Sequence, residues 1–104
     1  MERVSNKMKL KAGMAEEYKK RHDELWPELH GLLKAAGICD YAIFLDEETN
    51  ILFATLKVED RAALDKLPAE AVMKRWWKYM ADIMDTNPDN SPVSIPLKEV
   101  FYMP

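Results

Sequence analysis

The amino-terminal part of the chain passes from a strand-like to a helical pattern of apolar residues. Apolar side chains on alternate positions predict a half-buried strand over residues 2–10. From 14 to 36 they recur at intervals of three and four, which is typical of an amphipathic helix. Pro27 lies inside this stretch, and because its nitrogen carries no proton the helix must kink or restart there. We expect Asp23 to cap the second part of the helix and Gly37 to end it.

Two runs rich in β-branched and aromatic residues follow, at 38–45 and 51–58, with the polar turn sequence DEETN between them. This arrangement predicts an antiparallel hairpin. Both strands carry apolar side chains on both faces, and strict alternation places Ile38, Ala42 and Phe44 together on one face. One layer of helices covers only one face of a sheet, so the other face needs a cover. We expect sheet-to-sheet dimerisation to supply it, and the alternative is that the bare face binds a ligand.

The carboxyl-terminal part predicts two helices, a loop and a strand. Asp60 is placed to cap a short helix, and a longer helix is predicted over 69–84 with Pro68 near its first turn. A proline-rich loop at 85–96 is long enough to suggest a functional role. The sequence LKEVFYM (97–103) predicts a last strand. The resulting order β-α-β-β-α-β predicts an α+β, ferredoxin-like fold, an antiparallel sheet with helices on one face.

Length and charge narrow the class of protein. A chain of 104 residues predicts a single domain, 1–104. Eighteen acidic and 15 basic residues give a net charge of −3, so we expect no nucleic-acid partner. The single cysteine, Cys39, excludes an intramolecular disulfide and a multi-cysteine zinc site. Neither a signal peptide nor a membrane helix is recognisable, which predicts a cytoplasmic protein without a membrane partner.

Candidate chemistry is confined to a few polar and aromatic residues, because the sequence contains no phosphate-binding, HExxH or GxSxG motif. His22 and His30 stand eight positions apart, a poor spacing for a shared metal, so we expect no metal site and no cofactor. Tyr18 and His22 are one helical turn apart and share a face. Histidine also has a pKa close to neutrality, which suits proton transfer. The alternative is an ordinary surface histidine flanked by Arg21 and Asp23.

The adjacent residues Trp76 and Trp77 point about 100° apart on a helix. We therefore expect one of them to pack against the sheet and the other to line a pocket. An indole face suits the apolar C–H face of a sugar ring, and Tyr41 offers a further hydroxyl. Core and interface packing of the tryptophans, with Tyr41 as simple filling, is the alternative.

Four stretches together carry a resemblance to a known family. They are EEYKKRHDELWPEL (16–29), DYAIFLDEETNILFA (40–54), RWWKYMADIM (75–84) and NPDNSPVSIPLKEVFYMP (87–104). In them the chain closely resembles bacterial L-rhamnose mutarotases. The resemblance implies a homodimeric α+β barrel and a cofactor-free isomerase of rhamnose metabolism. This enzyme would interconvert the α and β anomers of L-rhamnose by general acid–base ring opening and reclosure.

The resemblance also implies the roles of individual residues. His22 matches the proton donor of the family, and four aromatic residues match its sugar contacts: Tyr18, Tyr41, Trp76 and Trp77. Asp23 and Asp40 stand where the family often has asparagine, which bears on the choice of sugar. The alternatives are a mutarotase for another 6-deoxy sugar, a non-catalytic sugar-binding dimer of the same fold, or a cofactor-free monooxygenase of similar fold.

Overall fold

An antiparallel sheet with helices on one face is the framework of the computed structural model, which describes residues 1–104. In chain order the elements are β1 (Glu2–Lys9), α1 (Ala15–Asp23), α2 (Pro27–Ala35), β2 (Ile38–Asp46), β3 (Ile51–Val58), a 3₁₀ helix (Arg61–Ala69), α3 (Ala71–Met80) and β4 (Ile95–Pro96). The strands lie in the order β2-β3-β1-β4, and every neighbouring pair is antiparallel. The predicted α+β class and β-α-β-β-α-β order are confirmed.

The break between α1 and α2 lies at the predicted proline. Pro27 is the first residue of α2, where its missing N–H costs no helical hydrogen bond. Gly37 follows the end of α2 with a φ of +83°, a conformation that glycine adopts without strain. The prediction that Asp23 caps α2 was wrong. Because the helix restarts at the proline itself, the capping position falls on Trp26, and Asp23 pairs with Lys19 at 2.9 Å.

A β-bulge in β2 changes which side chains share a face. Asp40 and Tyr41 both lie opposite the single residue Leu56 of β3, and Asp40 has a φ of +48°. Because of the extra residue, side chains on the amino-terminal side of the bulge point to the opposite face from the one that strict alternation predicts. Ile38 is therefore buried on the helix-covered face, whereas strict alternation predicted that it would share the other face with Phe44.

The carboxyl-terminal elements are shorter than predicted. The Asp60 carboxylate caps the 3₁₀ helix by accepting a hydrogen bond from the amide of Ala62, as expected. Pro68 lies inside this 3₁₀ helix, so α3 starts only at Ala71, and it ends at Met80 rather than at residue 84.

The last strand also differs from the prediction. It is Ile95–Pro96 at the end of the predicted loop, and 97–103 forms no strand. The amide of Leu97 donates to the carbonyl of Ser5, and beyond Leu97 only side chains contact β1: Arg3 pairs with Glu99 and lies over the ring of Tyr102. The apolar side chains that predicted a strand remain largely uncovered, and Phe101 is 79% exposed.

The hydrophobic core lies between the helices and one face of the sheet. Its buried members are Leu10, Tyr18, Leu29, Leu52, Met73, Trp76, Met80, Ile83 and Met84. The opposite face carries Phe44, which is 65% exposed, and its neighbour Phe53 across the strand pair. The apolar second face predicted from the strand pattern is thus present and uncovered in the single chain. No helix combines the length and apolarity that crossing a membrane requires.

Candidate active site

A cavity of about 880 Å³ opens between the helices and the covered face of the sheet. It is lined largely by apolar side chains. All five residues singled out from the sequence line it: Tyr18, His22, Tyr41, Trp76 and Trp77. Helix α1 contributes the first two, β2 contributes the third, and α3 contributes the tryptophans. The fold therefore brings residues from three distant segments to one cavity.

Tyr18 and His22 form a stacked pair on α1. Their ring centroids are 4.2 Å apart, as the one-turn spacing predicts. The His22 Nδ1 lies 3.0 Å from the backbone carbonyl oxygen of Tyr18. Because a carbonyl oxygen only accepts hydrogen bonds, this contact assigns the proton of neutral His22 to Nδ1. Its Nε2 then carries a free lone pair.

Burial sets the protonation states of the polar groups in the cavity. It lowers the pKa of His22 below 6.5, and it outweighs the opposing effects of the Tyr18 carbonyl and the Asp23 carboxylate. Burial likewise raises the pKa of the Tyr18 phenol, and the neighbouring Tyr41 raises it further. Tyr41 is 45% exposed as a whole residue, and burial of its phenol end raises the pKa of Tyr41 too. At neutral pH the site therefore holds a neutral imidazole and two protonated phenols.

Both tryptophans line the cavity, so the expectation that only one would do so was too narrow. Trp76 is buried and meets the His22 ring edge to face, with centroids 5.4 Å apart. Trp77 is half-buried beside it. Of the five side chains, only that of His22 forms a hydrogen bond with another protein group. The phenol hydroxyls and indole N–H groups thus remain available to a ligand.

Two aromatic residues that pack against Trp76 were not predicted from the sequence. Trp26 meets Trp76 edge to face at 5.1 Å, and Tyr79 lies 5.5 Å from Trp26 and 5.7 Å from Trp76. The position of Tyr79 three residues after Trp76 on α3 was a usable signal for a shared face. Trp26 lies in the break before Pro27, where no helical spacing applies.

The proline-rich loop contributes little to the cavity. Of residues 85–96, only Pro92 lines it. The loop is closed on itself by hydrogen bonds such as that from the amide of Asn87 to the carbonyl of Ser91. No three histidine, cysteine, aspartate or glutamate side chains converge anywhere as metal ligands would.

Comparison with known proteins identifies the family. A family model described as L-rhamnose mutarotase matches residues 3–103. The chain belongs to the L-rhamnose mutarotase family. An L-rhamnose mutarotase of Listeria monocytogenes is 58% identical over 103 residues, which cover 99% of both chains. One of Mesorhizobium japonicum is 59% identical over 102 residues, which cover 98% of this chain and 97% of the relative.

Solved structures agree with this membership of the L-rhamnose mutarotase family. The crystal structure of an L-rhamnose mutarotase from Formosa agariphila has a TM-score of 0.93 and 57% identity, and the match covers 100% of both chains. An antibiotic biosynthesis monooxygenase has a TM-score of 0.51 at 16% identity, covering 94% of this chain and 97% of that one, a likeness of fold alone. The resemblance drawn from the sequence motifs is confirmed, and so is the enzyme class, an isomerase acting on the anomeric carbon of a sugar.

Proposed function

We propose that residues 1–104 form one catalytic domain that interconverts the α and β anomers of L-rhamnose. The observation that carries the proposal is the meeting of a neutral imidazole, two phenols and two indoles in one cavity. Relatives that match nearly the whole chain are named L-rhamnose mutarotases, which supports this choice of sugar.

The proposed chemistry needs one group that takes and returns a proton. Nε2 of His22 accepts the proton of the C1 hydroxyl while the C1–O5 bond breaks and the C1=O1 carbonyl forms. The imidazolium then donates that proton to the ring oxygen O5. Both oxygens are bonded to C1, so one imidazole reaches each in turn. Rotation about C1–C2 and the reverse steps close the other anomer and leave His22 neutral.

One acid–base group is enough to account for catalysis of this reaction. The reaction transfers no electrons and no group to another molecule, and it proceeds slowly in water alone. A positioned acid–base group accelerates such a step by about 10²–10⁴-fold. His22 in the role of proton donor to the ring oxygen is therefore sufficient in kind and in size.

The remaining residues of the site bind and orient the sugar. Tyr18 and Tyr41 are protonated and can each donate a hydrogen bond to a sugar oxygen. Trp76 and Trp77 offer aromatic surface to the C–H groups of the ring and to the methyl group at C6. The largely apolar lining of the cavity favours a 6-deoxy sugar over one with a hydroxymethyl group there.

We also propose that a second copy of the chain covers the uncovered face of the sheet. Phe44 at 65% and Ile95 at 52% exposure form an apolar surface on this face. Exposed apolar residues of the carboxyl-terminal segment, such as Val100 and Phe101, add to the apolar surface of the single chain. An apolar area of this kind on a water-soluble chain marks an interaction site.

Cytoplasmic location without a nucleic-acid partner also stays a proposal. The net charge of −3 supports the absence of a nucleic-acid partner, because basic proteins are attracted to the negatively charged phosphates and this chain carries no such excess of charge. Cell fractionation tests the location.

The deciding experiment is magnetisation-transfer NMR on the anomeric protons of L-rhamnose, with and without the protein. We expect exchange between the α and β signals that depends on the protein and is lost in His22→Ala. Lys20→Ala, an exposed change on the same helix, is the matched control and should keep full activity. Exchange in His22→Ala at the wild-type rate would remove His22 from the mechanism.

The same experiment separates the alternatives. If the protein causes no exchange between the anomers of L-rhamnose but does so for L-fucose, the substrate is another 6-deoxy sugar. Line broadening of the sugar signals on binding, without exchange between anomers, would indicate a non-catalytic sugar-binding protein.

A further inference from the structure

The guanidinium of Arg21 joins α1 to the end of α3. Its Nε donates to Glu17 on the preceding turn of α1 at 2.8 Å. Its Nη1 donates both to the backbone carbonyl of Tyr79 and to Oδ1 of Asp82, each at 2.8 Å, and Nη2 donates to Oδ2 of Asp82 at 3.2 Å. The side chain is only 11% exposed. Arg21 is therefore fixed by groups on both helical segments.

The same guanidinium also packs on an aromatic ring that belongs to the candidate site. Its Cζ lies 4.5 Å from the ring centroid of Tyr79, and that ring contacts Trp76 at 5.7 Å. Trp76 in turn contacts His22, the residue that follows Arg21 in the chain. Helices α1 and α3 are therefore joined by two contacts, His22 with Trp76 and Arg21 with Tyr79. The two contacts are linked because Trp76 and Tyr79 also touch each other.

The contact set differs from that of an ordinary surface ion pair. Arg75 of α3 contacts Glu28 of α2 through one nitrogen at 3.0 Å, and these side chains are 60% and 75% exposed. Exposed ion pairs of this kind contribute little to the stability of a protein. Arg21 instead makes a two-nitrogen contact with Asp82 and satisfies a carbonyl in the last turn of α3, which has no helical partner of its own.

Arg21 and Asp82 are both charged at neutral pH. The hydrogen bond to Asp82 raises the pKa of Arg21, and the same contact lowers the pKa of the Asp82 carboxyl. Asp82 is itself largely exposed, so the pair adds geometric definition rather than much attraction.

We propose that Arg21 is a positioning residue that holds α1 in the register against α3 in which the His22 ring meets Trp76. This inference rests on the proposed function, in which His22 moves the proton and Trp76 contacts the sugar. The two groups are on different helices, so a slip of α1 along α3 displaces the imidazole from a sugar bound against the tryptophans. The tryptophan surface keeps its support from Trp26, so binding survives better than proton transfer.

The test compares kcat and KM for L-rhamnose exchange in four variants, using the full chain. Arg21→Met should lower kcat by about 10- to 100-fold, the cost of a displacement on the scale of 1 Å, with a smaller change in KM. Arg21→Lys should recover only part of the rate, because one ammonium cannot reproduce the planar fork. Asp82→Asn should lower kcat less, and Arg21→Met/Asp82→Asn should match Arg21→Met alone, since both remove the same contact.

Arg75→Met is the matched control, because it breaks the arginine–glutamate pair between α3 and α2 and should leave kcat unchanged. Rates are taken per folded molecule, with the folded fraction from circular dichroism. A second readout is the NOE between the His22 and Trp76 rings, which should weaken in folded Arg21→Met. A kcat for Arg21→Met no lower than that of Arg75→Met, or an unchanged NOE, would overturn the positioning role.

His22→Ala, run beside these variants, separates the two proposals. An inactive His22→Ala with a fully active Arg21→Met leaves the proposed function standing and refutes the inference on Arg21. An active His22→Ala refutes the role of His22, and with it any role of Arg21 that acts through it.

Discussion

The bulge at Asp40 makes a sharp prediction about stability and sugar binding. Asp40 has a φ of +48°, in the left-handed region, directly before the candidate sugar contact Tyr41. A left-handed backbone costs an ordinary L-residue roughly 1–2 kcal/mol, and aspartate and asparagine tolerate it best. Valine, branched at Cβ, is among the residues least suited to it.

The magnitude can be separated into two contributions. Asp40 also pairs with Lys57 at 3.3 Å, and because the Asp40 side chain is 69% exposed and that of Lys57 37%, this pair is worth about 0–1 kcal/mol. Asp40→Asn loses only the ion pair. Asp40→Val loses the ion pair and also forces valine into the left-handed conformation, so we expect it to be less stable than Asp40→Asn by about 1–2 kcal/mol. Lys57→Met removes the same pair without touching the bulge and is the control.

Urea denaturation measures these free energies, and NMR exchange measures the KM for L-rhamnose in the folded variants. Asp40→Val should raise KM, because relief of the strain re-aims Tyr41, whereas Asp40→Asn and Lys57→Met should leave KM near the wild-type value. Equal stability of Asp40→Val and Asp40→Asn would refute the argument that the left-handed backbone at this position is costly. Equal KM values would refute the link between the bulge and Tyr41.

Three further predictions concern the pH dependence of the rate, the pH dependence of stability, and assembly. Because the proposed first step needs neutral His22, the protein-dependent rate should fall as pH falls through the His22 pKa, which burial holds below 6.5; a rate that rises toward acid pH would contradict this. Below pH 6.5 the unfolded chain binds a proton more readily at His22 than the folded chain does. The free energy of unfolding should therefore also fall until the folded-state pKa is passed, and His22→Ala should lose this component in pH-dependent urea titrations. Phe44→Glu should place a charge in the uncovered face and convert a dimer to monomers in light scattering, and an unchanged dimer mass would show that this face is not the interface.

Local chemistry explains why much of the fold was predictable from the sequence. Pro27 and Gly37 act through their own backbones, and at these two positions each marks a boundary of α2. The hairpin of β2 and β3 follows from two β-branched runs joined by a polar turn. Tyr18 and His22 share a face because residues four apart on a helix always do.

The features that escaped prediction depend on partners distant in the chain. The bulge places Ile38 on the covered face, but an aspartate rather than a glycine occupies its left-handed position, so the sequence carries no warning. Arg21 is surrounded by charged residues and is typical of a solvated helix face, while its partner Asp82 is 61 positions away. The segment 97–103 is rich in the β-branched and aromatic residues typical of strands, yet beyond Leu97 it forms no backbone hydrogen bonds with β1, and the side chain of Arg3 contacts Glu99 and Tyr102 instead.

Burial explains both the apolar lining of the cavity and the protonation states of its polar groups. A cavity walled by core side chains suits the apolar face of a sugar, and the burial that creates it also keeps His22 neutral and both phenols protonated. A carboxylate bonded to Nδ1 of His22 would raise its pKa and favour the imidazolium. The structure places the uncharged carbonyl of Tyr18 there instead, which fixes the ring without supplying charge. The imidazole is thereby held as a base that can take the C1 hydroxyl proton first, and as the acid that returns it to the ring oxygen.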